Sequence, residues 1–196
     1  MDGISQRELQ RQFRVLDQML SMHSTLTNRF SRMSLVLDIS LLSCAVVFCA
    51  TTFASEDLFA ALSLTPHRIK VVLGVISVLA FLASVISLRV DWKGRHASHK
   101  EASQKLTIIL ARYKELRSSS GEWPSEKSSE LNQKYWAVMS NIPTIPDRSF
   151  AALKAKHLRK VEISRLLDSH PGCPLFLLRF LLLRNSIKDL GSRTKE

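Results

Sequence analysis

The chain has 196 residues and a formal net charge of +11, from 28 Lys plus Arg against 17 Asp plus Glu. A hydrophobic content of 45% excludes a fully disordered or collagen-like chain, and the length suits one domain or two small ones. The charge alone would suit a nucleic-acid binder, but residues 1–32 carry +2, residues 33–88 carry −1 and residues 89–196 carry +10.

Residues 1–32 place Leu9, Phe13, Leu16 and Leu20 at a 4-3-4 spacing, one apolar helical face, with Arg7, Arg11 and Arg14 at other positions. This predicts an amphipathic helix that packs on the later part of the chain or on a neighbouring subunit. Lying flat on anionic lipid is the alternative. Residues 33–55, MSLVLDISLLSCAVVFCATTFAS, follow. As a helix, about 22 residues rise roughly 33 Å, enough for the hydrocarbon core of a bilayer. A signal peptide is not expected, because a charged stretch precedes the apolar one.

Residues 55–70, SEDLFAALSLTPHRIK, form a connecting loop. Its apolar run 58–64 is expected at the outer interface, and Pro66 opens the next helix. Residues 71–88, VVLGVISVLAFLASVISL, contain no charge. Eighteen residues rise roughly 27 Å, which spans with anchors at the ends. Lys70 and Arg89 bracket the stretch and can snorkel.

After it, residues 90–117 hold no proline and only Gly94 as a breaker. Trp92 belongs at the interface. Ala102, Leu106, Ile109, Tyr113 and Leu116 recur at helical spacing, so the second apolar helix is expected to continue into a long cytoplasmic one. His96 and His99 lie three apart on it, without a carboxylate or Cys spaced to complete a metal site. They are expected to be hydrated; pH sensing is the alternative.

Residues 118–129, SSSGEWPSEKSS, read as a turn-rich linker, and 130–140 as a short helix with Leu131, Tyr135, Trp136 and Met139. The prolines of NIPTIP at 141–146 end it. Asp147 is expected to cap a helix reaching about Ser169, with Phe150, Leu153, His157, Val161 and Leu166 or Leu167 on its buried side. Lys154, Lys156, Arg159, Lys160 and Arg165 form a basic cytoplasmic face, read as solvated, with lipid or nucleic-acid phosphates as the alternative. Aromatic interleaving is thin there, so nucleic acid is not expected. The turn PGCP at 171–174 leads to LFLLRFLLL at 175–183. That run is too short to span and contains Arg179, with Arg184 following; a buried or interfacial helix is expected.

The fold class is thus an all-α membrane protein. A cytoplasmic amphipathic helix (1–32) precedes a transmembrane hairpin (33–90, helices about 33–55 and 71–88), and a basic cytoplasmic helical region (91–196) follows. Arg29, Arg32, Arg89, Lys93 and Arg95 flank the hairpin on one side and only Arg68 and Lys70 on the other, so both termini are expected in the cytoplasm. Arg29, Arg32, Lys70, Arg89, Trp92, Lys93 and Arg95 are the membrane-interface anchors.

Within the hairpin, Asp38 sits about one and a half turns inside the first helix, where a charge needs water, a partner or the interface. Asp38, Ala45 and Thr52 recur every seven residues, and Ser77, Ala80, Ser84 and Ser87 follow a 3-4-3 spacing near Gly74. These faces either line a pore or pack the hairpin closely. The three cysteines (Cys44, Cys49, Cys173) form no CxxC, and no His–Cys cluster of metal-site spacing surrounds them, so neither disulfide nor metal is expected. No phosphate-binding glycine loop, GxSxG or HExxH occurs, so neither an enzyme nor a cofactor is expected.

The order of parts then resembles a known family. An N-terminal helix leads into a two-helix hairpin, then a Trp-containing juxtamembrane turn, DWKGRHASHK, then a helix of the form AxxKLxxxLxRYxxL from Ala102 to Leu116. This looks like the SLATT family, the SMODS- and SLOG-associating two-transmembrane effector domain of bacterial conflict systems. Trp92, His99, Tyr113 and Leu116 carry the resemblance, and residues 142–158, IPTIPDRSFAALKAKHL, resemble the extension of one subgroup. The resemblance implies an oligomeric pore-forming or membrane-disrupting effector in the bacterial inner membrane. It also implies switching by a nucleotide-synthesising or nucleotide-sensing partner, and carries over no catalytic residue. A membrane-tethered adaptor, or a lipid or nucleic-acid binder acting through residues 154–165, is the alternative.

Overall fold

The computed structural model describes residues 6–53, 66–120 and 125–193, and every regular element among them is a helix. In chain order these are α1 (Gln6–Phe53), α2 (Pro66–Val90), α3 (Trp92–Ser120), α4 (Ser125–Asn141), α5 (Asp147–Ser169) and α6 (Leu175–Arg193). The expected loop at 55–70 falls on residues 54–65, outside the described ones, apart from its last residues in α2; residues 121–124 of the expected linker lie outside them too. The flanks of that linker are helical, so α3 and α4 each run further into it than their serines suggest.

Two rods of 48 residues dominate, each about 72 Å long at helical rise: α1, and the stretch Lys70–Arg117 that joins α2 to α3. They run antiparallel, with α1 packed on α3 at one end and on α2 at the other. The packed end forms a helical base. There Leu9 and Leu16 of α1 meet Leu106, Ile109, Leu110 and Tyr113 of α3, and Leu131 and Tyr135 of α4 close the cluster. A second cluster joins Met22 and Leu26 of α1 to Leu153 of α5.

One polar group sits at the centre of the base. Gln12 is buried, its amide nitrogen donates to Asn132 Oδ1 at 2.8 Å, and its Oε1 accepts from the Tyr113 hydroxyl at 2.7 Å. The three residues tie α1, α3 and α4 together with the Gln12 amide paired at both ends, as a buried polar group requires.

Beyond the base the two rods are uncovered. None of the most apolar window of either rod is buried, although each is long and apolar enough to cross a membrane. The half-buried positions there are Ser34, Leu37, Leu41, Cys44, Phe48 and Thr51 on α1, and Leu73, Ile76, Ala80, Ala83 and Ser87 on α2. Both sets follow 3-4 spacing, the pattern of a two-helix seam. Ala80 and Ser87 lie on this seam, whereas Ser77 and Ser84 are exposed. A 3-4 spacing fits both registers; the larger Leu73 and Ile76 select the one adopted.

α5 spans the expected residues, but Asp147 is its first helical residue rather than its cap. Pro146 holds the cap position, and its carbonyl accepts from the amides of Ser149 and Phe150. Leu153 and His157 are buried as expected, Val161 and Leu166 are half-buried on the same side, and Phe150 and Leu167 are about one-third exposed. α6 packs on α5, with Leu178 buried and Phe176, Phe180 and Leu183 exposed, so one face of this apolar helix is uncovered among the described residues.

Candidate functional site at the junction of hairpin and base

The junction is built on a break in the second rod. Asp91 has φ 49°, a left-handed conformation that Asp tolerates better than most residues. Its amide still donates to the Ser87 carbonyl at 3.1 Å, closing α2. Its carboxylate folds forward and accepts from the Gly94 amide at 3.0 Å, which starts α3 in the manner of an N-cap. Gly94 is required for this. A Cβ there would lie 2.1 Å from Asp91 Oδ2.

The expected anchors gather around this break. Arg89, Lys93 and Arg95 are exposed beside Asp91, and Arg29 and Arg32 are exposed on α1; Trp92 is half-buried. Lys70 stands at the far end of α2, also exposed. Lys93 Nζ lies 3.0 Å from Asp38 Oδ2, so the lone acid of the first apolar stretch is paired with a cation at the break. Asp38, Ala45 and Thr52 are all exposed, and the Thr52 hydroxyl donates to the Phe48 carbonyl of its own helix.

Below the break, histidines join α1 to α3. His23 is fully buried, and its Nδ1 lies 2.9 Å from Nδ1 of His99, so one ring donates and the other accepts. Phe30 stacks on His99 with ring centroids 5.6 Å apart. His96 Nδ1 lies 3.1 Å from the Thr27 carbonyl. His99 is therefore buried, and His96 half-buried, against the expectation of two hydrated rings; the docking of α1 removes them from water. Burial, and then the neighbouring His99, lower the pKa of His23 to about 4. Burial, and then the Arg95 charge, lower that of His99. Among the described residues His23 Nε2 has no hydrogen-bond partner. Among the described residues no group of His, Cys, Asp or Glu could hold a metal ion.

Two clefts flank the histidines. One, of about 540 Å³, runs between Ser24 and Asn28 of α1 and Lys100 and Gln104 of α3. The other, of about 640 Å³, opens above the junction between α1 and α2, with Arg32 and Trp92 at one end. Lys154, Lys156, Arg159, Lys160 and Arg165 are exposed on α5, and Arg165 lies 3.6 Å from Glu162 of the same helix. The chain matches no family model, no curated protein and no solved structure.

Proposed function

We propose that the chain is an oligomeric α-helical membrane effector, whose hairpin spans the bilayer and whose base carries the triggering contacts. One observation carries this: apart from the half-buried seam between them, the two long apolar stretches are exposed and hold no buried residue in their most apolar windows, while the base beside them has a packed core. A soluble core helix would be covered, and an exposed apolar surface of this size calls for lipid or another subunit. The ring of Arg29, Arg32, Arg89, Lys93 and Arg95 with Trp92 at one end of the hairpin matches an interface on the cytoplasmic side, with both termini there.

One hairpin encloses no water, so conduction needs several copies. The polar positions left free by the intramolecular seam, Asp38, Thr52, Ser77 and Ser84, are the ones available to face a shared path. In keeping with the family resemblance, the effector belongs to a bacterial conflict system and is released by a nucleotide-signalling partner that engages the base.

The test is membrane potential and dye leakage in cells expressing the full chain, alone and with the candidate partner and its signal. Depolarisation that disappears when the hairpin is replaced by inert Leu/Ala helices supports the effector. Intact membranes in every arm overturn it and leave an anchored adaptor. A specific feature favours that second reading: α6 presents Phe176, Phe180 and Leu183 to the exterior beside the basic α5, a surface suited to docking.

A further inference from the structure

The cleft above the junction has a shape and polarity of its own. On α1 it extends from Arg32 to Cys44, about 18 Å at helical rise. One leaflet of a ~30 Å hydrocarbon core is about 15 Å deep. The cleft thus runs the depth of one leaflet, beginning at the ring of basic residues. Ala80 and Ala83 make the space, since neither reaches across to Val36 and Leu41. Ser40 is the uncharged polar side chain in the wall, and its hydroxyl donates to the Val36 carbonyl at 2.8 Å, so the wall offers water little.

The mouth is different. Trp92 and Arg32 both line it, an aromatic ring and a guanidinium at interface level. The nearby cation Lys93 is already paired with Asp38, whereas Arg32 is exposed and forms no ion pair among the described residues.

We propose that this cleft binds one anionic phospholipid of the leaflet next to the base, with an acyl chain along the apolar wall and the phosphate at Arg32. This rests on the membrane-spanning reading above. A second copy's apolar stretch would cover the wall, but the one acid of that stretch, Asp38, is already paired with Lys93 and so brings no anion to Arg32. A soluble phosphate compound would leave the apolar wall unused. A diacyl lipid with an anionic headgroup matches both the wall and the mouth.

The experiment uses the full chain in vesicles of mixed phosphatidylglycerol and phosphatidylcholine. Alkaline extraction comes first, followed by mild detergent and native mass spectrometry of the retained lipid. The expected result is one lipid held per chain, with phosphatidylglycerol preferred about fivefold, the worth of one interfacial cation. Arg32→Gln should bring the preference to parity while lipid is still held. Ala83→Trp should abolish retention, and Val85→Trp, exposed on α2 and outside the cleft lining, should not. Phosphatidylglycerol retention unchanged in both Arg32→Gln and Ala83→Trp overturns the site. Efficient Cys44-to-Cys44 cross-linking between copies also overturns it, by seating a second copy in the cleft. A chain that alkali strips from the vesicles overturns the spanning reading, and the lipid site with it.

Discussion

His23 and His99 face each other Nδ1 to Nδ1 at 2.9 Å across the α1–α3 interface, 76 residues apart in sequence. Such a contact needs one proton between the rings and tolerates no second one, because two imidazolium ions would meet in an apolar site. Phe30 against His99 and the Arg95 charge push the same way. Burial of both rings therefore favours the neutral pair.

A pH dependence follows with a definite sign. Both folded-state pKa values lie below the usual histidine value of 6.5, that of His23 at about 4. Between 6.5 and 4 the unfolded chain binds more protons than the folded one, so stability falls as pH falls through that window. The loss is at most about 1.4 kcal/mol per pH unit for one such group. Thermal unfolding of the full chain in detergent should show a Tm that is flat above pH 6.5 and declines towards pH 4. His23→Leu should flatten the decline. A slope unchanged in that variant would assign the acid sensitivity to a group other than His23, with His99 the next to test.

The Gln12 network predicts an asymmetric mutational response. Tyr113→Phe keeps the ring in the core but leaves Gln12 Oε1 without the hydroxyl that donates to it at 2.7 Å. A buried acceptor left unpaired costs about 1–3 kcal/mol. Gln12→Leu also strips Asn132 and Tyr113 of a shared partner, and should cost at least as much. The double variant should be less destabilised than the sum of the two, since the lost bond is counted once. Chemical denaturation across the four proteins measures this coupling. Strict additivity would mean that the Tyr113–Gln12 bond contributes nothing.

At the rod's break two effects oppose each other. Gly94→Ala gains about 1 kcal/mol of helix propensity. It also displaces the Asp91 carboxylate, which its Cβ would meet at 2.1 Å, and so forfeits a cap of similar value. The expected net change is close to zero. Asp91→Ala has no such offset: it loses the cap and keeps a left-handed backbone that Ala disfavours, at a cost of about 2 kcal/mol. Unfolding midpoints of the two variants separate these cases. An Asp91→Ala midpoint equal to that of Gly94→Ala would show that the break needs no left-handed residue.

Much of the architecture was legible because its signals are local. The uncharged run 71–88 reads directly as a long apolar helix, and the prolines before Asp147 place the start of α5 to within one residue. What was illegible depends on partners far along the chain. His96 and His99 stand among Lys and Arg and read as wet until α1 is laid over them. Gln12 interrupts the apolar face that Leu9, Phe13 and Leu16 suggest, and only Tyr113 and Asn132 make sense of it. The α2 seam could not be phased from Ser77, Ala80, Ser84 and Ser87, because 3-4 spacing also fits the set containing Leu73 and Ile76. The polar cleft between Ser24, Asn28, Lys100 and Gln104 had no signal at all, since its two sides share no motif.

Asp38 provides the sharpest separation between a pore lining and a structural clasp. Its carboxylate is half-exposed and lies 3.0 Å from Lys93. If the pair clasps the hairpin to the base, Asp38→Asn and Lys93→Gln should alter gating alike, because either change removes the same contact. The swap Asp38→Lys with Lys93→Asp should then restore gating. If instead Asp38 faces a conducting path, its charge sets the local ion concentration, and Asp38→Asn should lower cation preference while Lys93→Gln raises it. Exposed pairs contribute about 0–1 kcal/mol to stability, so neither variant should unfold the chain, and planar-bilayer recordings of reversal potential can be compared directly. Opposite shifts in the two single variants, unrepaired by the swap, would place Asp38 on the ion path. Equal effects repaired by the swap would make it a clasp and leave the path to Thr52, Ser77 and Ser84.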